Sequence, residues 1–292
     1  MEIMNIFTLF QNEIIKAKKC DLENITSLAI GCFDALHLGH FELIKRLDDN
    51  GALLIIYKKT RELVPIIYKQ ELLNCKIFFV NLDEIKDENA YNFTQNIMYN
   101  FTQLKYFVAG YDFHFGKNRQ AHAKELQEFS GLRCIIVDEF KIDNISVHSS
   151  LIKECLLNAD LESVNKFLGR NYFIQGRQIK GQGLGAKFFV PTINVDYDNY
   201  FLPKEGVYFT KVYLDNECYF AATFLGKRST DLNTALEVHI LNSSNSYFKF
   251  YKIKIEFLEF FRENKKFDNF DSLKEQINLD IKALSLKAKD ER

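Results

Sequence analysis

No uninterrupted apolar stretch in this sequence approaches the roughly 18–20 residues that a bilayer-spanning helix needs, so a membrane-spanning helix is excluded. The N-terminal segment MEIMNIFTLF carries an acid where a secretory signal would carry Lys or Arg, and the expectation is a soluble cytoplasmic protein. Charge of one sign is lacking as well: 38 Lys and Arg stand against 39 Asp and Glu, a formal net charge of −1. That balance creates no sequence-wide field to recruit nucleic acid or an anionic membrane. Neither is expected as a partner, and any anion must be held by a local site. Cysteine pairs are missing too. Cys20, Cys32, Cys75, Cys134, Cys155 and Cys218 are scattered singly with no C-x-x-C among them, which argues against a disulfide framework and against a zinc site. The expectation is free, mostly buried thiols, none of them a nucleophile. No internal repeat or low-complexity tract interrupts the chain.

What the sequence does contain is enough apolar material to build cores. Apolar residues make up 47% and charged residues 26%, the balance of an ordinary folded protein, and 292 residues suffice for two domains of ~100–200 residues each. In the first half, SLAIGCF (27–33), ALLIIY (52–57), KIFFVNL (76–82), KYFVAGY (105–111) and RCIIVDEF (133–140) are short and almost wholly apolar, as strands buried on both faces are. Between them, FELIKRL (41–47), NAYNFTQNIMYNFTQL (89–104) and AKELQEF (123–129) repeat apolar residues every three or four positions and read as helices. This alternation predicts a doubly wound parallel α/β domain, whose ligands sit at the carboxyl ends of the strands. Two short helices, 149–158 and 160–170, close this half, with Asp160 as cap and Gly169 as stop.

After Arg170 the alternation has period two. GVYFTKVYL and ECYFAATFL flank a hairpin turn at Asp215 and Asn216, and ALEVHIL and FKFYKIKIEFLEFF extend the β character. A last helix over 271–289, with Asp271 at its start and Leu273, Ile277, Ile281 and Leu284 at helical spacing, completes a small antiparallel β-barrel or sandwich with one covering helix. The expected domains are 1–169 and 170–292.

Glycine and proline are scarce, at 13 and 3 residues, so their clusters are informative. The segment GRQIKGQGLGAKFFVPTIN gathers Gly176, Gly181, Gly183 and Gly185, followed by Pro191, Thr192 and Asn194. A glycine-rich turn of this kind either exposes N–H groups that cradle phosphates or is a flexible hairpin loop. In P-T-x-N, residues two apart on a strand face the same way. The Thr192 hydroxyl and the Asn194 amide oxygen then point together, as hard ligands suited to Mg²⁺. Histidine clusters as well, since His37 and His40 share a four-residue window between the strand ending at Phe33 and a helix beginning near Phe41. A helix start offers an anion unpaired N–H groups and the positive end of the dipole. Gly39 lets a phosphate approach the backbone, and two imidazoles can donate to phosphate oxygens as charge develops at phosphorus. The alternative is a pair of capping or surface histidines.

These segments resemble the signatures of the bacterial riboflavin kinase/FAD synthetase family. Gly31, Phe33, Asp34, His37, Gly39 and His40 match its nucleotidyltransferase pattern G-x-F-D-x-x-H-x-G-H, with Ala35 where Gly is usual. AGYDFHFGKNR (109–119) is similar to its G-x-D-F-R-F-G-x-x-R through Gly110, Asp112, Phe113, Phe115, Gly116 and Arg119, with His114 in place of Arg. Its S-S/T-x-I-R appears as Ser149 to Lys153, with Lys for the final Arg, and its T-F-x-P-x-P stretch falls near 56–62, where this chain reads IYKKTRE. The kinase signature G-x(4)-G-x-G-x-G-x(5)-P-T-x-N is matched in spacing, although Ala186, Phe188 and Phe189 depart from the usual Arg, Leu and Gly.

The resemblance implies a bifunctional enzyme that makes FMN from riboflavin and ATP in the C-terminal barrel and FAD from FMN and ATP in the N-terminal domain, both with Mg²⁺. By resemblance, His37 and His40 act in adenylyl transfer. Gly31, Phe33, Asp34, Gly39, Ser149, Ser150 and Lys153 bind ATP in the first domain, and Gly181, Gly183 and Gly185 in the second. Asp112 and Arg119 bind flavin, and Thr192 and Asn194 hold the metal. Glu237, the Glu of E-V-H, is the base that accepts the ribityl hydroxyl proton. His239 either orients Glu237 or is structural, and Arg262 either approaches flavin or nucleotide or is a surface Arg. Two alternatives stand beside this. One is a riboflavin kinase alone with a degenerate N-terminal domain, favoured by Ala35, His114, Lys153 and the missing proline motif. The other is a non-catalytic flavin- or nucleotide-binding regulator, disfavoured by the joint presence of Glu237, Thr192 and Asn194.

Overall fold

The computed structural model of the chain describes residues 4–11, 13–180, 190–215, 217–227, 234–242 and 252–291. Two compact units divide it, Met1–Leu151 and Ile152–Arg292. No helix among the described residues is long and apolar enough to cross a membrane.

The strands of the first unit are β1 (Phe7–Phe10), β2 (Glu13–Lys16), β3 (Ser27–Gly31), β4 (Gly51–Tyr57), β5 (Lys76–Asn81), β6 (Tyr106–Gly110), β7 (His114–Phe115), β8 (Ala121–His122), β9 (Arg133–Val137), β10 (Lys141–Ile142) and β11 (Ile145–Ser146). Its helices are α1 (Lys19–Leu22), α2 (Leu38–Ile44), α3 (Ile66–Lys69), α4 (Leu82–Ile85), α5 (Ala90–Asn100) and α6 (Ala123–Ser130). One sheet runs β2-β1-β5-β4-β3-β6-β9. From β5 to β9 it is parallel, and the β1–β2 hairpin adds two antiparallel strands at one edge. That hairpin escapes the sequence reading because its four-residue strands lie partly exposed and lack a fully apolar run.

Alternation along the strands gives the sheet two cores. On β4, Ala52 and Leu54 join Leu28, Ile30, Phe78 and Phe107 in one core with Phe93 and Ile97 of α5 and Phe101 just after it. Leu53 and Ile55 point the other way, joining Ala29, Phe79 and Val108 against Leu43 of α2 and Ile66 of α3. From β3 the chain steps outward to β4 and β5, then returns to lay β6 on the other side of β3. This reversal opens a crevice beyond the carboxyl ends of β3 and β6, where ligands of such sheets bind.

The division between units falls within α7 (Ser149–Leu157). In the second unit α8 (Leu161–Leu168) has the expected ends: Asp160 accepts from the Ser163 N–H at 3.1 Å, and Gly169 adopts φ 68°. Strands β12 (Tyr172–Ile179), β13 (Ile193–Asp196), β14 (Gly206–Leu214), β15 (Glu217–Lys227), β16 (Thr234–Ile240) and β17 (Ile253–Arg262) close into an antiparallel barrel in the order β12-β13-β16-β15-β14-β17. Helix α9 (Phe270–Asp290) covers its outer face, setting Ile281, Leu284 and Ala288 against Val207, Phe209 and Phe224. Its cap is Asn269, which accepts from the Ser272 N–H at 2.9 Å, and not Asp271. The six cysteines are free as expected, yet Cys20, Cys32 and Cys218 are exposed and the others half-buried. The expected burial fails because these three sit beside strand ends or in the short α1, away from either core.

Gly176 belongs to this architecture. It lies on β12, and a Cβ there would come 1.9 Å from the Asp196 carbonyl oxygen of β13. Gly176→Ala therefore forces the two strands apart, and we expect urea denaturation to show a loss of about 1–3 kcal/mol, the usual cost of overpacking.

Candidate active sites

In the first unit the loop from Gly31 to His37 leaves β3 at the mouth of the crevice. Phe33 and Leu36 have φ of 46° and 48°, a left-handed conformation that non-glycine residues hold only under constraint. Helix α2 starts at Leu38, three residues earlier than expected, so His37 is its N-cap and His40 lies in its first turn. The His37 Nδ1 accepts from the His40 backbone N–H at 3.3 Å, which in the neutral ring puts the proton on Nε2. The two imidazoles stack with centroids 3.7 Å apart, and the Phe33 ring lies 5.0 Å beneath His40. Phe33 is fully buried, so its side chain supports His40 and only its backbone remains open to a ligand. Gly39 is fixed by packing as well: a Cβ would come 3.2 Å from the His37 ring and 3.3 Å from Phe140 Cβ.

Asp34 ties this loop to the segment after β4. Its carboxylate accepts the Leu63 N–H at 2.7 Å and its carbonyl the Val64 N–H at 3.3 Å. The segment also contains a proline, Pro65, which precedes α3 with φ −59° and lies just beyond the window 56–62. The thiol of Cys32, crowded although part of the residue reaches the surface, is pushed up by burial. Lys58, Arg119 and Lys69 oppose that rise and Asp34 adds to it, so these cations gather around the end of β3.

Beyond β6, the hairpin of β7 and β8 pairs His114 with His122, their rings 4.2 Å apart. The His114 Nδ1–H donates to the Asp112 carbonyl at 2.7 Å. Phe115 anchors the hairpin in the core, 5.6 Å from Phe93, while Gly116, Asn118 and Arg119 of its turn all have positive φ. Asp112 and Arg119 are both exposed there. At the head of α7, the Ser150 hydroxyl donates to His148 Nδ1 at 2.7 Å, and the Leu151 N–H reaches the same nitrogen at 3.2 Å. His148 caps this helix, a role that its sequence neighbourhood does not reveal. Lys153, one turn on, belongs to the second unit, where its ammonium stands 5.3 Å from the Phe201 ring centroid.

In the second unit the pairing register assembles the site. Asn194 of β13 lies directly opposite Glu237 of β16, with Ile179 and Phe224 next in the same row. Their neighbours Ile193 and Val238 are fully buried in the barrel, so alternation sends the amide and the carboxylate to the opposite face, where Asn194 is still buried and Glu237 half-buried. Thr192 precedes β13, and the His239 Nδ1–H donates to the Pro191 carbonyl at 2.9 Å. This nitrogen of His239 holds the P-T-x-N segment and is not aimed at Glu237. Arg262 is engaged too, with Nε 3.0 Å from each oxygen of Asp280 on α9. Its planar fork, well matched to a carboxylate, fastens α9 to the barrel. Gly181, Gly183 and Gly185, with Ala186, Phe188 and Phe189, lie outside the described residues.

Burial lowers the His239 pKa, although its bond to Pro191 opposes this. The unfolded chain then takes up the proton first. Stability is complete above the usual 6.5 and falls as pH drops through it. Thermal melts between pH 7.5 and 5 are expected to show this loss, and His239→Gln to flatten it.

The family model for riboflavin kinase matches residues 168–286, and that for FAD synthetase matches residues 69–151. The bifunctional riboflavin kinase/FMN adenylyltransferase of Haemophilus influenzae is 31% identical over 283 residues, spanning 87% of this chain and 92% of that one. The trifunctional protein RibF/MnmA of Mycoplasmoides gallisepticum is 33% identical over 88% of this chain and 39% of its own length. The crystal structure of a macrolide-efflux protein from Streptococcus pneumoniae matches with TM-score 0.77 at 21% identity, covering 91% of this chain and 96% of that one. That likeness concerns the fold alone.

Proposed function

Because the chain belongs to the bifunctional riboflavin kinase/FMN adenylyltransferase family and uses ATP to make FMN and then FAD, we propose that the two reactions are divided between residues 1–169 and 170–292. In the C-terminal barrel Glu237 accepts the proton of the ribityl 5′-hydroxyl as its oxygen attacks the γ-phosphorus of ATP and ADP leaves. The observation that carries this is the cross-strand pair Asn194–Glu237, which sets a general base beside a hard oxygen ligand. Thr192 and Asn194 offer a hydroxyl and an amide oxygen, a donor set that fits Mg²⁺, which when bound offsets the phosphate charge. Gly181, Gly183 and Gly185 are kept as the ATP-binding stretch on the strength of their spacing.

In the N-terminal domain the FMN phosphate attacks the α-phosphorus and pyrophosphate leaves. His37 and His40, at the start of α2 on the crevice, stabilise the charge that develops. Gly31, Asp34 and Gly39 shape the loop that receives ATP, with Phe33 contributing backbone. Ser149 and Ser150 of α7 are assigned to ATP phosphate and Asp112 and Arg119 to the flavin, whereas Lys153, which belongs to the second unit and stands against Phe201, drops out of the phosphate set. Arg262, gripped by Asp280, is assigned to fastening α9 and not to the flavin. The FAD synthetase match over 69–151 speaks against the single-activity alternative. The free thiols fit a reducing cytoplasm, which also supplies ATP.

Purified protein incubated with riboflavin, ATP and Mg²⁺ should yield FMN and then FAD on chromatography. Glu237→Gln should lower FMN formation ~10²–10⁴-fold, the usual contribution of a general base, while FAD formation from supplied FMN survives. His37→Ala and His40→Ala should each do the reverse, at ~10²–10³-fold. Equal loss of both activities with an intact thermal melt would contradict the division.

A further inference from the structure

The strained loop before α2 needs something to hold it. Lys69, on α3, is fully buried, and an ammonium in such a place is costly unless every proton finds an acceptor. Here each does. Its Nζ donates to the Asp34 carbonyl at 3.2 Å, to the Glu62 carboxylate at 3.0 Å and to the Val64 carbonyl. Three protons and three acceptors use the whole donor capacity of a lysine. Glu62 is anchored in turn by the Ile66 N–H at 3.2 Å. Burial pushes its carboxyl up and Lys69 pulls it down, with the rise prevailing.

One acceptor differs from the other two. Val64 and Glu62 belong to the segment leading into α3, but Asp34 lies between Phe33 and Leu36, the two left-handed residues of the histidine loop. A methionine of similar length would fill the same space without a buried charge. The ammonium adds a bond to the loop carbonyl, next to the bond that carbonyl receives from Val64 and the one the Asp34 carboxylate receives from Leu63. We propose that Lys69 is a positioning residue for adenylyl transfer: it locks the Phe33–His37 loop in the strained form that sets the His37–His40 stack at the crevice. The proposal rests on the assignment of those histidines to that reaction.

The test uses the full chain, so that kinase turnover is an internal control. Lys69→Met should lower kcat for FAD formation from supplied FMN by about 10- to 100-fold, the scale of a small misplacement of catalytic groups. The KM for ATP and for FMN should stay within about threefold, and FMN formation should be unchanged. Lys69→Met combined with Glu62→Gln removes the unpaired carboxylate. This double variant should regain the thermal midpoint without regaining kcat, and it serves also if the single variant does not fold. Recovery of kcat together with the midpoint would overturn the proposal, because Lys69 would then only neutralise Glu62. So would a single variant whose kcat is unchanged while His37→Ala is impaired. Should His37→Ala itself leave FAD formation intact, the histidine assignment fails first, and the proposal with it.

Discussion

A β-strand sends successive side chains to opposite faces, and both halves of this protein are organised by that constraint. In the parallel sheet it splits β4 between two cores, Ala52 and Leu54 against α5, Leu53 and Ile55 against α2 and α3. With both faces covered, only the strand ends remain open to ligands, and the loops leaving β3 and β6 bear the candidate residues. In the barrel the same alternation sends Ile193 and Val238 into the core and sets Asn194 and Glu237 on the opposite face as cross-strand neighbours, the amide buried and the carboxylate half-buried. A shift of one residue between β13 and β16 would exchange the two sets. Core and site are therefore specified by one register.

The two proposed sites would meet a shared problem, the handling of phosphate, by different means. The N-terminal loop relies on conformation. Phe33 and Leu36 accept unfavourable φ, Asp34 is tied to the segment of Leu63 and Val64, and His37 caps the helix that carries His40. The barrel relies on pairing, with strands that hold the carboxylate and amide side by side while His239 steadies the approach of Pro191 and Thr192. Strain suits a site that must present two rings to an anion, and a regular ladder suits one that needs a base and a ligand at fixed spacing.

The elements that set this scaffold are largely readable from the chain, because buried parallel strands are unbroken apolar runs and helix ends carry their own signals. Asp160 and Gly169 are found as cap and stop, and the motif-bearing strand ends fall where the apolar runs predict. What escapes is contact over long sequence distance. The β1–β2 hairpin is short and partly exposed. Arg262 reads as a ligand-binding or surface residue until Asp280 of α9 is seen in its fork. Lys69 is not singled out by the sequence either, since nothing in YKQELL announces a side chain with no exposure. The histidine motif names its residues, but not that Phe33 and Gly39 serve to pack the rings.

The central claim is that one chain acts on two different phosphorus atoms of ATP, and the isotope content of the product tests it most directly. With riboflavin, Mg²⁺ and ATP labelled in the γ-phosphate in one reaction and in the α-phosphate in another, FMN should carry only γ-label. FAD should carry both in equal amount, one phosphorus from each reaction. FAD without α-label, or FMN bearing it, would contradict the account.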